Sequence, residues 1–298
     1  MGEGGQSARC SPLAVTGWQG ESPVRYGSVC SGIEAATVAW HPLGWEAAWY
    51  SEIEPFPCAV LKHHYPTVPN YGDMTKFMEW PDESIDLLVG GTPCQSFSQI
   101  GLRTGLADPR GNLMLTFGAI AGRYKPKWLV WENVPGVLSS RKGRDFGTFL
   151  GMLANLGYGF SYRVLDAYYF GCAIKRPRVF VIGHFGDWRK SAAVLFERES
   201  FEIGSTRIIG RPSGHVLSTA NTGSRNARGN IINEGTYWRG MTPVETERAM
   251  GFPDNYTNIE WRNQKEAPKI PRYTALGNSM AVPVMAWIGN RIQRVSEL

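Results

Sequence analysis

The stretch VRYGSVCSGIEAATVAWHPLGWEAAWYS, Val24 to Ser51, decides the fold. VRYGSV (Val24 to Val29) is short and β-prone. Gly32 then opens a helical run, IEAATVAWHPL, and EAAWYS (Glu46 to Ser51) reads as a second strand. Working outward, PFPCAVLKHHYP has helical spacing, and SIDLLVGG (Ser84 to Gly91) is a continuous apolar run bounded by glycines, the pattern of a buried strand. NLMLTFGAIAGRY (Asn112 to Tyr124) predicts a helix, KWLVWEN (Lys127 to Asn133) a strand and FGTFLGMLANLGY a helix; RVLDAYYFG and RVFVIGHF (Arg178 to Phe185) close the series as strands. Strand and helix alternate at short intervals, which predicts an α/β fold with a mostly parallel, doubly wound, Rossmann-like sheet. Such sheets bind ligands at the carboxyl ends of their strands, so the functional residues are expected just after VRYGSV, EAAWYS, DLLVGG and KWLVWEN.

The texture differs at both flanks. Residues 1–23 are Gly- and Ser-rich without period and are expected to be a flexible tail. Residues 187–272 are expected to form a small separate domain, with its loop-rich part before residue 240; RPSGHVLSTANTGSRNARGNIINEGTYWRG (Arg211 to Gly240) is rich in Gly, Ser, Asn and Arg. Residues 24–186 and 273–298 would make the larger domain. MTPVETERAMGFP carries a helix start, with Thr242 as N-cap, Pro243 at the first helical position and Glu245 completing a capping box. PVMAWIGNRIQRV reads as an amphipathic closing helix.

The chain has 298 residues, 43% of them hydrophobic and 19% charged, enough to bury a core. No apolar run approaches the roughly 18 to 20 residues of a membrane span, and the N-terminal sequence lacks the basic start and apolar core of a secretory signal. Five cysteines, at 10, 30, 58, 94 and 172, are odd in number and widely spaced, which argues against disulfides and structural zinc. That usage predicts a cytoplasmic protein and no metal site. Lys and Arg number 31 against 26 Asp and Glu, a net charge of +5 that permits an anionic partner without demanding one.

The chemistry concentrates in GGTPCQSFSQIGLRTGLADPRGN (Gly90 to Asn112). An arbitrary cysteine is most often a small buried hydrophobe. Here Cys94 leaves a buried strand into a Gly- and Pro-containing loop with the polar run Gln95, Ser96, Ser98 and Gln99, which favours a nucleophile.

The segment Pro93-Cys94-Gln95-Ser96-Phe97-Ser98 resembles the catalytic loop of the bacterial and phage C5-cytosine-specific DNA methyltransferases. Further motifs follow in that family's order: Glu132-Asn133-Val134, then Lys175-Arg176-Pro177-Arg178, then Thr242 through Pro253, then Gly277-Asn278-Ser279-Met280-Ala281-Val282-Pro283. Ser28 through Ala35 occupies the place of the first motif. The similarity spans roughly residues 24–186 and 240–295. It departs from the family at Ile174, where the family has Gln, and at Ser28, Cys30, Glu34 and Ala35, which stand for Asp, Phe and two glycines.

The resemblance implies the S-adenosylmethionine-dependent methyltransferase fold with a small target-recognition domain, and methyl transfer to C5 of a cytosine flipped out of duplex DNA. It implies Cys94 as the sulfur that adds to C6, Glu132 as the group hydrogen-bonding N3 and the exocyclic amine, Arg178 as a contact to O2, and Arg176 and Gln95 as supports. It implies S-adenosyl-L-methionine as cofactor, held around Cys30, Ser31, Gly32 and Ile33, with Glu52 on the ribose, Asp73 on the adenine amine, Ile53 and Met74 near the ring, Leu113 as a further cofactor contact, and Asn278 and Ser279 near the methionine end. Ser98, Arg103 and Arg110 are candidate DNA contacts in the catalytic loop. Arg225 and Arg228, with Arg207, Arg211 and Arg239, are candidates in the loop-rich lobe. The expected partner is double-stranded DNA, with a restriction endonuclease acting on the same short site without forming a complex, and the expected state is a monomer. Two alternatives stay open: a tRNA cytosine-5 methyltransferase, and a DNA-binding relative with weak catalysis.

Overall fold

The computed structural model describes residues 23–93, 113–196, 217–218, 231–233 and 238–297. Its centre is a six-stranded sheet of β1 (Arg25–Val29), β2 (Glu46–Ser51), β3 (Leu87–Gly90), β4 (Trp128–Asn133), β5 (Tyr158–Asp166) and β7 (Pro177–Phe185), in the order β2-β1-β3-β4-β7-β5. The first four pair in parallel, whereas β7 is antiparallel to both of its neighbours. Five strands therefore run one way and one is reversed, the mostly parallel α/β sheet expected from the alternation. The two-residue β6 (Ile174–Lys175) pairs with β8 (Leu217–Ser218), and β9 (Ile231–Asn233) with β10 (Trp238–Gly240).

The two-residue period of the strands sorts side chains between the faces. Leu87, Val89, Trp128 and Val130 join one apolar cluster; Leu88, Leu129 and Trp131 join the other. The first cluster contains α1 (Ala35–Trp40), α2 (Pro55–His64) and α8 (Val282–Ser296) through Ala36, Trp40, Val60, Met285 and Ile288. The second contains α3 (Leu113–Tyr124) and α4 (Arg144–Asn155) through Phe117, Ile120, Phe149 and Leu153. All six residues of β4 are buried, as a central strand covered on both faces requires. Gly27 of β1 is glycine because a methyl there would overlap the Trp49 indole on β2.

Local sequence sets the ends of these elements. Pro55 fills the first position of α2. α6 (Pro243–Met250) begins with the expected capping box: Thr242 Oγ1 accepts from Glu245 N–H and the Glu245 carboxylate accepts from Thr242 N–H. α4 ends short of the predicted Tyr158, because Gly157 turns into the left-handed region at φ +91° and Tyr158 opens β5. The run RVLDAYYFG is not one strand. β5 stops at Asp166, whose carboxylate accepts from Tyr168 N–H and starts a 3-10 turn over Ala167–Phe170.

α5 (Trp188–Leu195) packs on β5, β7 and α8. Its last carbonyls are tied down by Arg291 of α8, which donates to Ala193, Val194 and Phe196. Met241, Met250, Phe252 and Tyr256 share the first cluster with α8. α7 (Lys269–Asn278) leads through Ser279 into α8. Among the described residues no helix is long and apolar enough to cross a membrane.

Candidate active site

The carboxyl ends of β1 to β4 form the floor of a cavity of about 880 Å3. After β1 the chain coils tightly. Cys30, Gly32 and Glu34 all take left-handed backbone, at φ 48°, 57° and 61°. Ser31 stitches this turn to β2: its N–H donates to Ser51 O, and its Oγ donates to Ser28 O and accepts from Ser51 N–H. The coil presents Gly32 N–H to Glu52, whose Oε2 accepts it at 2.7 Å. Glu52 Oε1 accepts from Ile53 and Glu54 N–H, each at 2.8 Å. A carboxylate offers about four acceptor positions, so three are used by the backbone and one is left for a hydroxyl donor in the cavity.

Next to Glu52, the Ile53 side chain is 65% exposed on the cavity wall, an apolar face suited to a flat ring. Asp73 lines the same end; its Oδ1 caps the 3-10 turn that follows by accepting from Thr75 N–H and Oγ1. Met74 is buried beside it, 3.4 Å from the Cys30 sulfur. Burial, with Glu52 and Asp73 nearby, pushes the Cys30 thiol up to about 12, so Cys30 stays a neutral wall residue. A carboxylate with one acceptor position left open, a second acid and an exposed apolar side chain around one pocket fit the ribose, amine and ring of an adenosine.

The other end of the cavity belongs to β4 and β7. Glu132, the fifth residue of β4, is 8% exposed, and its Oε1 lies 3.2 Å from Arg178 Nε. Burial raises the Glu132 pKa, and Arg178 and then Arg176 oppose the rise. A carboxyl so raised holds its proton more readily than a solvent-exposed one. Arg176 is buried more deeply. Its Nη2 donates to the carbonyls of Gly277 at 2.8 Å and Ser279 at 2.7 Å, and its Nε is buried with no partner among the described residues. Arg176 therefore fastens the turn between α7 and α8 to the wall that holds Glu132. A cation there also complements the carbonyl end of α7. Desolvation, then Arg178, lowers the guanidinium pKa to about 10, so it remains charged at neutral pH.

The strand ends also aim the segment that follows β3. Trp131 Nε1 donates to Thr92 Oγ1 at 3.0 Å, and Asn133 Nδ2 donates to Thr92 O at 2.8 Å. Gly91 is glycine for space: a Cβ there would lie 3.2 Å from both Glu132 Oε2 and Met280 Cε. Sequence reading missed Thr92, Trp131 and Asn133 as a unit. The only signal was that Asn133 immediately follows Glu132 at the end of an apolar strand.

Of the residues singled out from sequence, Cys30, Gly32, Glu52, Ile53, Asp73 and Met74 line this cavity at one end, and Glu132, Arg176 and Arg178 at the other. Leu113 and Asn278 line it between them. Ser31 and Ser279 instead line a smaller adjoining cavity. Ile33 faces away; its side chain is fully buried in the first apolar cluster, and its carbonyl accepts from Tyr256 Oη. Arg239 is engaged in a two-point ion pair with Glu245, at 2.7 and 2.8 Å. Cys94, Gln95, Ser98, Arg103, Arg110, Arg207, Arg211, Arg225 and Arg228 lie outside the described residues. A wall that sequence reading did not anticipate comes from Phe56, Trp261, Arg262 and Ile270. Trp261 sits edge-on to Phe56 at 5.3 Å, and the Arg262 guanidinium lies 5.0 Å from the Trp261 ring centroid.

Comparisons with known proteins agree with this geometry. The family model described as C-5 cytosine-specific DNA methylase matches residues 24–210 and 190–294. A DNA N-6-adenine-methyltransferase of Escherichia phage P1 is 31% identical over 460 residues, covering 90% of this chain and 61% of that protein. The alignment is longer than this chain, so the phage protein carries segments without a counterpart here. The type II methyltransferase M2.BsuMI of Bacillus subtilis is 27% identical over 297 residues, covering 90% of this chain and 75% of the relative. Among solved structures, the Dnmt2 methyltransferase of S. pombe superposes with a TM-score of 0.66 at 17% identity, over 92% of this chain and 99% of that one, a likeness of fold. The site geometry and the family match together establish that this chain belongs to the C-5 cytosine-specific DNA methylase family.

Proposed function

We propose that this chain transfers a methyl group to C5 of a cytosine within a short sequence of duplex DNA. The observation that carries the reading is one cavity with an adenosine-suited end, at Glu52, Ile53 and Asp73, and a buried Glu132–Arg178 pair at the other. S-adenosyl-L-methionine, when bound, supplies an electrophilic methyl on a sulfonium.

The chain's own residues do the rest. The Cys94 thiolate adds to C6 of a flipped cytosine, and the ring electrons move toward C5. Glu132 hydrogen-bonds N3 and the exocyclic amine, its raised pKa letting it share a proton with N3 as charge builds there. Arg178 holds the Glu132 carboxyl and reaches O2. After C5 takes the methyl group, C5 loses its proton to a base, and the returning electron pair expels Cys94, which restores the ring. Gln95 supports the attacking sulfur.

Ser98, Arg103 and Arg110 are proposed DNA contacts beside the catalytic cysteine, and Arg225 and Arg228 in the recognition lobe. We draw the lobe between residues 197 and 240, narrower than 187–272, because α5 and the residues from Met241 onward pack in the main core. The proposed setting is the cytoplasm of a bacterium or phage-infected cell. There the protein acts as a monomer, either alone or with an endonuclease that reads the same site.

The phage P1 relative carries the name of an adenine N6 enzyme. An exocyclic amine is itself a nucleophile and needs no sulfur addition, so the Cys94–Glu132 pair favours cytosine. Nucleoside analysis of duplex DNA incubated with the chain and labelled donor is expected to return 5-methylcytosine. Label in N6-methyladenine, or in tRNA rather than DNA, would refute the assignment. Duplexes carrying 5-fluorocytosine at the target should become covalently attached to the wild type and not to Cys94→Ser.

A further inference from the structure

A second cavity of about 30 Å3 adjoins the large one, and the two share Cys30, Gly32, Gly91, Glu132 and Asn278. It admits a group the size of one water or one ammonium. Its wall carries two carboxylates, Glu34 and Glu132, and three serines, Ser28, Ser31 and Ser279; no Lys, Arg or His is among the described lining residues.

Glu132 has Arg178 as counter-charge, whereas the hydrogen-bond partners of Glu34 among the described residues are neutral. Its Oε1 accepts from Ser28 Oγ, and its Oε2 accepts from Thr37 N–H at 3.0 Å and Thr37 Oγ1 at 2.6 Å. Among the described residues, the titratable groups acting on it from the surrounding elements are Tyr26, Tyr50, Tyr65, Tyr256 and Glu52, none of them a cation. The residue is 1% exposed and adopts left-handed backbone, φ 61° and ψ 60°, which favours glycine. A buried carboxyl that burial pushes upward, hydrogen-bonded but with no cation beside it among the described residues, and a left-handed backbone are two costs at one residue beside the site, the combination expected where a cationic ligand supplies what is missing.

We propose that Glu34 is the anionic seat for the α-ammonium group at the amino-acid end of the cofactor, with Ser28 orienting its carboxylate toward the small cavity. This rests on the reading of the large cavity as the cofactor site. The bound ammonium provides the positive charge that the described residues do not place beside Glu34. Ser31, Ser279 and Asn278 supply neutral acceptors around it. Because Ser28 Oγ touches the Glu34 carboxylate, an acid at position 28 would project into the same space.

The test is calorimetry on the full chain with two ligands. S-adenosylhomocysteine carries the ammonium, whereas 5′-methylthioadenosine shares the adenosine and thioether and lacks the amino-acid end. Glu34→Gln is expected to weaken S-adenosylhomocysteine by about 10- to 100-fold, the worth of one charge-assisted hydrogen bond, and to leave 5′-methylthioadenosine unchanged. Moving the acid, with Ser28→Asp and Glu34→Gly together, should restore most of the preference; it also decides the matter if Glu34→Gln does not fold. Equal weakening of both ligands makes Glu34 merely structural, and no weakening of either removes its role. A preference abolished by potassium chloride but not by choline chloride assigns the seat to a metal ion and overturns the proposal. If the wild type binds neither ligand, the cofactor reading itself fails.

Discussion

The Arg176 guanidinium holds the Gly277 and Ser279 carbonyls at 2.8 and 2.7 Å. Replacing it therefore separates cofactor binding from base chemistry. Both bonds come from the one Nη2, and the shorter lysine side chain keeps the charge but brings its nitrogen short of that position, so at least one of the two bonds is expected to be lost. One charge-assisted bond is lost, worth about 1.5–3 kcal/mol. If that energy orders the turn carrying Asn278 and Ser279, affinity for S-adenosylhomocysteine falls roughly tenfold to a hundredfold. Methionine would forfeit both bonds, about 3–6 kcal/mol, a large share of a typical domain's stability, so lysine is the informative variant. The comparison is Arg178→Lys, which disturbs the Glu132 pair and should lower kcat while leaving S-adenosylhomocysteine affinity within about twofold. Calorimetry gives the affinities, and hydrogen exchange over residues 276–281 should rise only in Arg176→Lys. Unchanged affinity and exchange in that variant would refute the clamp.

Glu132→Gln keeps the shape of the site and removes its proton; kcat should drop by about 100- to 10,000-fold with cofactor affinity intact, measured by labelled-methyl transfer. Gly27→Ala drives a methyl into the Trp49 ring and should destabilise the fold by about 1–3 kcal/mol in urea titration, with near-normal activity in the folded fraction. Arg239 holds Glu245 in its ionised form and lowers its pKa from the usual 4.5 to about 2. A depressed carboxyl stabilises above its unfolded value, so that contribution is complete above about pH 4.5 and disappears as pH falls toward 2. Acid unfolding of Arg239→Ala should show less pH dependence across that window; an unchanged slope would contradict the pairing.

What was legible in the sequence was local. The Thr242-Pro243-Glu245 start of α6 is fixed by residues within one turn of each other, and the structure reproduces it. Glu52 and Glu132 could be placed because each ends an apolar strand, and strand ends in this sheet converge. The inward direction of the Ile33 side chain was not legible, because side-chain direction in a coil with left-handed residues at 30, 32 and 34 follows no period. The partners of Arg176 lie a hundred residues away, and Trp261 meets Phe56 across the cavity mouth. Such pairings depend on how whole elements dock, and no short-range pattern encodes them.

The stretch from 197 to 240 begins and ends at an arginine rivet. Arg291 grips the carbonyls of Ala193, Val194 and Phe196 before it, and Arg239 locks onto Glu245 as the chain re-enters the core. Both fastenings are anchored in the scaffold helices α8 and α6. Chimeras cut just outside them test the recognition lobe proposed above, because an exchange for the matching stretch of a relative leaves both fastenings in place. On the proposed reading of that stretch as the recognition lobe, a swapped chain that keeps its methyl-transfer rate and changes its target would show that site preference can vary apart from the chemistry.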